Sequence, residues 1–183
     1  MDQELDVSII IPTIGRSSLG RALASVRNMS SIVIADGCQL PNKIKADHVL
    51  SGKWGNGMGP RNAGIFQAQT SWCGFLDDDD VLDPNYKNEF EKAVTENPSK
   101  DIHIFKMEFA SNLTPGRKRG EILWKEPIFR RGNVGISFVI RTELAKANPF
   151  PRPRPAEDFF FLRQFPQSSM NFVDVVTYYV KPD

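Results

Sequence analysis

The chain has 183 residues, 40% hydrophobic and 25% charged, and a formal net charge of +1. That length suits one domain with a sizeable core, and the composition excludes wholesale disorder. A balance this close to neutral gives no electrostatic reason to expect a nucleic-acid partner.

The opening MDQELDVSIIIP is acidic where a secretory leader would be basic, and no apolar run approaches the ~20 residues of a spanning helix. Within it, Val7 to Ile11 is a β-branched run closed by Pro12, which predicts a parallel strand buried on both faces. Leu19, Ala22, Leu23 and Val26 then recur at helical spacing, with Ser17 or Ser18 as N-cap. Ser31 to Ala35 is a second strand ending in the Asp36-Gly37 turn pair, and His48 to Leu50 a weaker third. The two cysteines, Cys38 and Cys73, have no metal-type spacing and read as reduced thiols, which together with the missing leader and span predicts a cytoplasmic protein.

The glycine-rich stretch SGKWGNGMGPRNAG is flexible, and Pro60 is expected to open a helix from Arg61 towards Gln69. Trp72 to Leu76 is the next strand, and it runs directly into Asp77, Asp78, Asp79 and Asp80. A helix follows from Asp83-Pro84 to Asn97-Pro98, then a strand from Asp101 to Phe109. Beyond it the pattern loosens. TPGRKRGEIL reads as a polar loop, Ile136 to Ile140 as a strand and Glu143 to Ala147 as a short helix. The proline-rich PFPRPRP gives way to a helix at Ala156 or Glu157, and Met170 to Val180 closes the chain as a strand. Alternating strands and helices predict an α/β fold with a mainly parallel central sheet flanked by helices.

In such a sheet, ligands bind outside the carboxyl ends of the strands. The loops there carry Thr13 to Arg16, Asp36-Gly37, Arg61-Asn62 and the four aspartates. Carboxylates are hard donors suited to Mg²⁺ or Mn²⁺, yet four acids also suit a solvated turn before a helix. Their place at the end of an apolar strand favours the metal. Arg61 at a helix start opposes the dipole, so it serves either an anionic partner or one of the aspartates. Asp36 is by itself a good turn residue, and Glu157-Asp158 serves equally as an acidic first turn or as a carboxylate base. The basic residues Arg117, Lys118 and Arg119, echoed by Arg130-Arg131, read as a solvated loop or as an attractor of an anionic acceptor or diphosphate.

Taken in order, VSIIIPTIGR, SIVIADG, GPRNAGIFQAQTSWCGFLDDDD and AEDFFFLRQF resemble the family 2 glycosyltransferases of the GT-A fold. The resemblance implies a single GT-A-like domain over residues 1–183, with residues 1–110 binding a nucleotide-sugar and residues 111–183 the acceptor. It places Pro12 and Thr13 against the donor's nucleoside, Asp36 on the base (uracil for a UDP-sugar), and Arg61 and Asn62 beside the nucleotide. In LDDDD it makes Asp79 the metal ligand and Asp77 a contact to ribose or metal. Asp78, in the variable middle position, is grouped with the donor-binding residues. Asp158 becomes the base of an inverting transfer to a glycan, lipid-linked or other hydroxyl acceptor, with Mn²⁺ or Mg²⁺ as cofactor. Ile14 stands where relatives place a base-stacking aromatic residue, and ADGC and PRN replace the usual DDGS and ARN. Two rival expectations are a nucleotidyltransferase, which would release pyrophosphate, and a non-catalytic module that binds nucleotide or glycan.

Overall fold

The computed structural model describes residues 5–55, 58–124, 126–151 and 155–182. The middle of the glycine-rich loop and of the proline-rich loop therefore lies outside the described residues. Among the described residues, nine strands form one sheet in the order β3-β2-β1-β4-β8-β6-β9-β5, with β7 pairing on β6. Here β1 is Val7–Thr13, β2 Ser30–Asp36, β3 His48–Gly52, β4 Trp72–Phe75 and β5 Val81–Leu82. β6 is Ile102–Phe109, β7 Glu121–Leu123, β8 Phe138–Arg141 and β9 Met170–Val180. The helices are α1 (Leu19–Ser25), α2 (Met58–Gln67), α3 (Tyr86–Glu96), α4 (Thr142–Ala147) and α5 (Glu157–Leu162).

The expected strands and helices are present with ends shifted by one to three residues. β1 runs on through Pro12 to Thr13, because its pairing with β4 ends at Ile10 and the ladder to β2 tolerates the missing amide donor beyond that point. Ser18 precedes α1 without capping it through its side chain. Two short strands went unforeseen. β5 has only two residues and β7 only three, too few for a period-2 pattern to emerge, and both depend on a longer neighbour for pairing.

Parallel pairing holds throughout β3-β2-β1-β4, where the hydrophobic runs Ile9 to Ile11 and Ile32 to Ile34 are almost wholly buried. The second half makes the sheet mixed: β8 joins β4 and β6 antiparallel, while β9 lies parallel to β6 with register shifts around Lys106. Strand order reverses at β1, flanked by β2 on one side and β4 on the other. The carboxyl ends of β1 and β4 thus border a topological switch point, the standard place for a ligand crevice in an open sheet.

Aromatic packing fixes the far side of that crevice. Phe161 of α5 stacks on Phe150 (4.0 Å) and Phe138 (5.6 Å) and meets Phe75 of β4 edge-on, so Phe161 belongs to the core while Phe159 is half-buried against it. α2 packs directly against β1 and β2. Its close approach depends on Gly64, where an added Cβ would collide with the Ile10 side chain. Gly64→Ala should therefore destabilise the fold by about 1–3 kcal/mol in chemical unfolding, as expected for overpacking a close-packed core.

Candidate functional site

A cleft of ≈ 240 Å³ opens at the switch point, lined by Pro12, Thr13, Ile14, Asp36, Arg61 and Asp77, with Arg16 and Asp78 among its further walls. Each comes from a strand end or helix start, so the sheet topology converges segments that are distant in sequence. Gly15 turns the chain after β1 in the left-handed region (φ 89°), and its N–H donates to Thr13 Oγ1 at 3.0 Å.

The four aspartates do not converge on one another; they fan out to separate partners. Asp77 Oδ1 accepts from Arg61 Nη2 at 2.6 Å, and the Asp77 N–H donates to the Tyr178 hydroxyl at 3.0 Å. Asp78 is buried, with Thr13 Oγ1 donating to it at 2.5 Å and Arg16 Nη1 at 2.6 Å. Asp79 keeps looser company, 3.5 Å from Arg16 Nη1 and 3.7 Å from Lys181 Nζ. Asp80 accepts from the Lys181 N–H at 2.8 Å and is also bonded by Tyr178. Burial and the Asp77 charge push Asp80 up to about 7. The run is neither a solvated turn nor a bare acidic cluster, since the chain's own cations and hydroxyls hold three of its four members.

Arg61 is the hub. Its side chain is nearly inaccessible, and beside Asp77 it binds Glu157 at the start of α5. Burial opposes its charge, but Asp77, Asp158 and Glu157 together raise its pKa above the ordinary value. Both sequence readings of Arg61 thus bear on one residue, for it pairs with an aspartate and still lines the cleft. Its neighbour Asn62 is not among the lining residues. The Asn62 amide clasps Phe150 in both directions, donating to its carbonyl at 3.1 Å and accepting its N–H at 2.8 Å. That clasp ties α2 to the segment before α5.

Asp158 stands beside Arg61 in the first turn of α5, following Ala156 in the left-handed region (φ 64°). Such a conformation costs a non-glycine residue about 1–3 kcal/mol and is held only by its surroundings. Among the described residues, Asp158 Oδ1 is buried without a hydrogen-bond partner, as is Arg61 Nε. Burial pushes Asp158 up to about 7; Arg61 opposes this, while Asp77 and Glu157 add to it. Asp36, in contrast, is bonded through Oδ1 to the N–H groups of Trp54 (2.6 Å) and Gly55 (3.1 Å), and its Oδ2 has no partner among the described residues. Arg16, Lys181 and Tyr178 were not singled out from the sequence as partners of these acids, nor Glu157 as the partner of Arg61. A lone cation at a loop or strand end carries no local pattern that predicts such a partner.

Among the described residues no three His, Cys, Asp or Glu side chains group as metal ligands. A hard cation shared with a substrate's phosphates needs only one or two protein carboxylates, so the donor set still fits one. Asp79 is partly exposed with its cations at ion-pair distance, and Asp77 Oδ2 has no partner among the described residues. The balance of charge also fits. Asp36, Asp77, Asp78, Asp79, Asp80, Glu157 and Asp158 outnumber Arg16, Arg61 and Lys181, so a diphosphate entering without a cation would meet net repulsion.

A sequence profile described as Glycosyl transferase family 2 matches residues 8–145, most of the chain. The protein belongs to that family. No curated protein matches the sequence. Among solved structures, S. aureus TarS 1-349 superposes with a TM-score of 0.73 at 21% identity, over 96% of this chain and 60% of that one. The same TarS segment in complex with UDP-GlcNAc gives 0.72 at 20% identity (95% and 58%), and in complex with UDP 0.62 at 20% (95% and 60%). At these identities the likeness establishes a shared GT-A-like α/β fold with a mixed sheet. The chain spans about 60% of the TarS segment it matches.

Arg61→Met should cost about 3–5 kcal/mol in chemical denaturation, because it strands Asp77, Glu157 and Asp158 without their shared cation. Asp158 makes a different prediction. Its folded pKa (about 7) lies above its ordinary 3.8, so the folded chain retains a proton the unfolded chain loses, and stability declines as pH rises between those values. Asp158→Asn should therefore melt higher than the wild type near pH 8, with the gain shrinking towards pH 4 in a calorimetric series.

Proposed function

We propose that the chain is the donor-binding and catalytic domain of a nucleotide-sugar glycosyltransferase, with a UDP-sugar as donor and an inverting transfer. The reading is carried by one observation. A buried, unpartnered carboxylate oxygen of Asp158, raised to about 7, stands beside the Arg61–Asp77 pair that lines the cleft. A base of that pKa suits proton transfer at neutral pH. Family membership and a structural neighbour captured with UDP-GlcNAc support the same class of donor.

In this reading the nucleoside lies in the cleft. Asp36 Oδ2 accepts the base N–H, Ile14, 63% exposed at the rim, covers the base's flat face, and Pro12 and Thr13 form the wall. Asp77, held by Arg61 and Tyr178, contacts ribose or cation. Asp79, with Asp77, would hold Mn²⁺ or Mg²⁺, which supplies charge neutralisation on the departing diphosphate. Asp78 has a positioning role: it is spent on Thr13 and Arg16, and so fixes the β1 loop against the aspartate turn. Asn62 likewise positions α5 through Phe150. The Asp158 carboxylate takes the acceptor hydroxyl's proton as that oxygen attacks the anomeric carbon from the face opposite the diphosphate. Arg61 steadies the carboxylate before transfer.

Asp158→Asn should lower kcat by about 10²–10⁴-fold, with the dissociation constant for UDP, read by thermal shift, changing less than about twofold. The wild-type kcat/KM should rise with pH through about 7 as Asp158 loses its proton. Normal turnover by Asp158→Asn would refute the base assignment, and pyrophosphate in place of UDP among the products would refute the transfer itself.

A further inference from the structure

The second half of the domain contains a cleft that shares no lining residue with the donor cleft. Arg117, Trp124, Glu126, Arg130 and Asn133 are among the residues that line its ≈ 420 Å³. We propose that it is the subsite for a phosphate group carried by the acceptor, which makes the acceptor a phosphate-bearing hydroxyl compound. This rests on the donor reading above and names the substrate class of its other half.

Charge is the first support. From Arg117 to Arg131 the sequence holds six Lys and Arg against Glu121 and Glu126, in a chain whose formal net charge is only +1. The excess sits where the donor cleft is not, and the donor cleft is acidic. An anion in the donor cleft meets a majority of carboxylates, whereas this lining carries the guanidinium groups of Arg117 and Arg130 against the single carboxylate of Glu126.

Preorganisation is the second. Arg117 is fixed from two sides, by Glu121 Oε1 at 2.5 Å from its Nη1 and by the Phe109 ring at 4.9 Å from its Cζ. Arg130 is exposed, and its guanidinium has no partner among the described residues. The floor is rigid: Trp124 is buried, its indole N–H donates to the Phe105 carbonyl at 3.1 Å, and its ring meets Phe172 edge-on. Asn133 holds the segment's shape by donating to the Glu126 and Ile128 carbonyls. One clamped and one free guanidinium around a fixed aromatic floor suit a tetrahedral oxyanion, whose oxygens can be reached from several directions. Glu126 is the one carboxylate of this lining, and it is exposed.

Contiguity with the proposed chemistry is the third. Phe129, next to Arg130, stacks on Phe159 of α5 at 5.0 Å, and Arg131 lies over Phe160 at 5.9 Å. The basic segment is therefore fastened to the short helix that carries Asp158. An acceptor phosphate gripped by Arg117 and Arg130 is held in fixed relation to the base.

The test follows the Trp124 indole N–H resonance while inorganic phosphate, glycerol 3-phosphate or glucuronate is titrated into protein saturated with UDP. Both phosphates should shift it, less so at high salt. Arg130→Ala should weaken that binding about tenfold or more, as loss of a charged hydrogen-bond donor does. Lys92→Ala, the same charge change on the exposed face of α3, should leave it unaltered. A Trp124 signal indifferent to phosphate, or an Arg130→Ala titration matching the wild type, overturns the subsite. Glucuronate acting as strongly as glycerol 3-phosphate overturns the phosphate assignment. If UDP perturbs no resonance around Asp36, the donor reading fails and the acceptor role with it. Normal UDP binding with silence at Trp124 removes the subsite alone.

Discussion

One buried guanidinium organises this domain's cleft. Arg61 joins the end of β4, through Asp77, to the start of α5, through Glu157, and lies within reach of Asp158. These acids come from opposite halves of the chain, and without a shared cation their mutual repulsion would drive the halves apart. Removing such a charge from water is expensive, and the cost is met only because several carboxylates surround it. The arrangement also explains why Asp158 stays basic near neutrality and yet can ionise: burial raises its pKa, and Arg61 restrains the rise.

Around that hub the charges are sorted. Carboxylates gather at the carboxyl ends of β2 and β4, while Arg117 and Arg130 of the second half line the cleft floored by Trp124. A near-zero net charge conceals this separation, which is why bulk composition gives no reason to expect nucleic acid and does not reveal the two poles. Sorting of this kind directs differently charged ligands to different clefts before any specific contact is made.

The parallel half of the sheet was legible because buried β-branched runs such as Ile9 to Ile11 and Ile32 to Ile34 allow few other readings. The gathering of Thr13, Asp36, Arg61 and Asp77 at the strand ends was legible for the same reason, since topology follows from element order. What escaped was pairing at long range. Arg61 and Glu157 are 96 residues apart, as are Asp83 and Tyr179, and no local pattern ties them. The sequence poses a choice for Asp77 to Asp80 between solvated turn and metal cluster. The fold instead distributes them among Arg61, Arg16, Thr13, Tyr178 and Lys181, cations and hydroxyls that only tertiary structure brings near. Asn62 illustrates the converse case: a residue placed beside the nucleotide by motif alone holds the backbone of Phe150.

The clasp of β9 on the aspartate turn carries a consequence for the order in which the molecule matures. Tyr178 and Lys181 reach back about a hundred positions to hold Asp77 and Asp80, and β9 docks on β6 by a parallel pairing that closes a long loop of chain. Pairings of that kind form late, because their loop-closure entropy is paid before their contacts are gained. The early-synthesised strands can collapse around their isoleucines while the acidic turn still lacks its latch. A chain emerging from the ribosome would therefore pack its first strands before the aspartate turn gains Tyr178 and Lys181, and the last strand to settle would be the one that completes that turn.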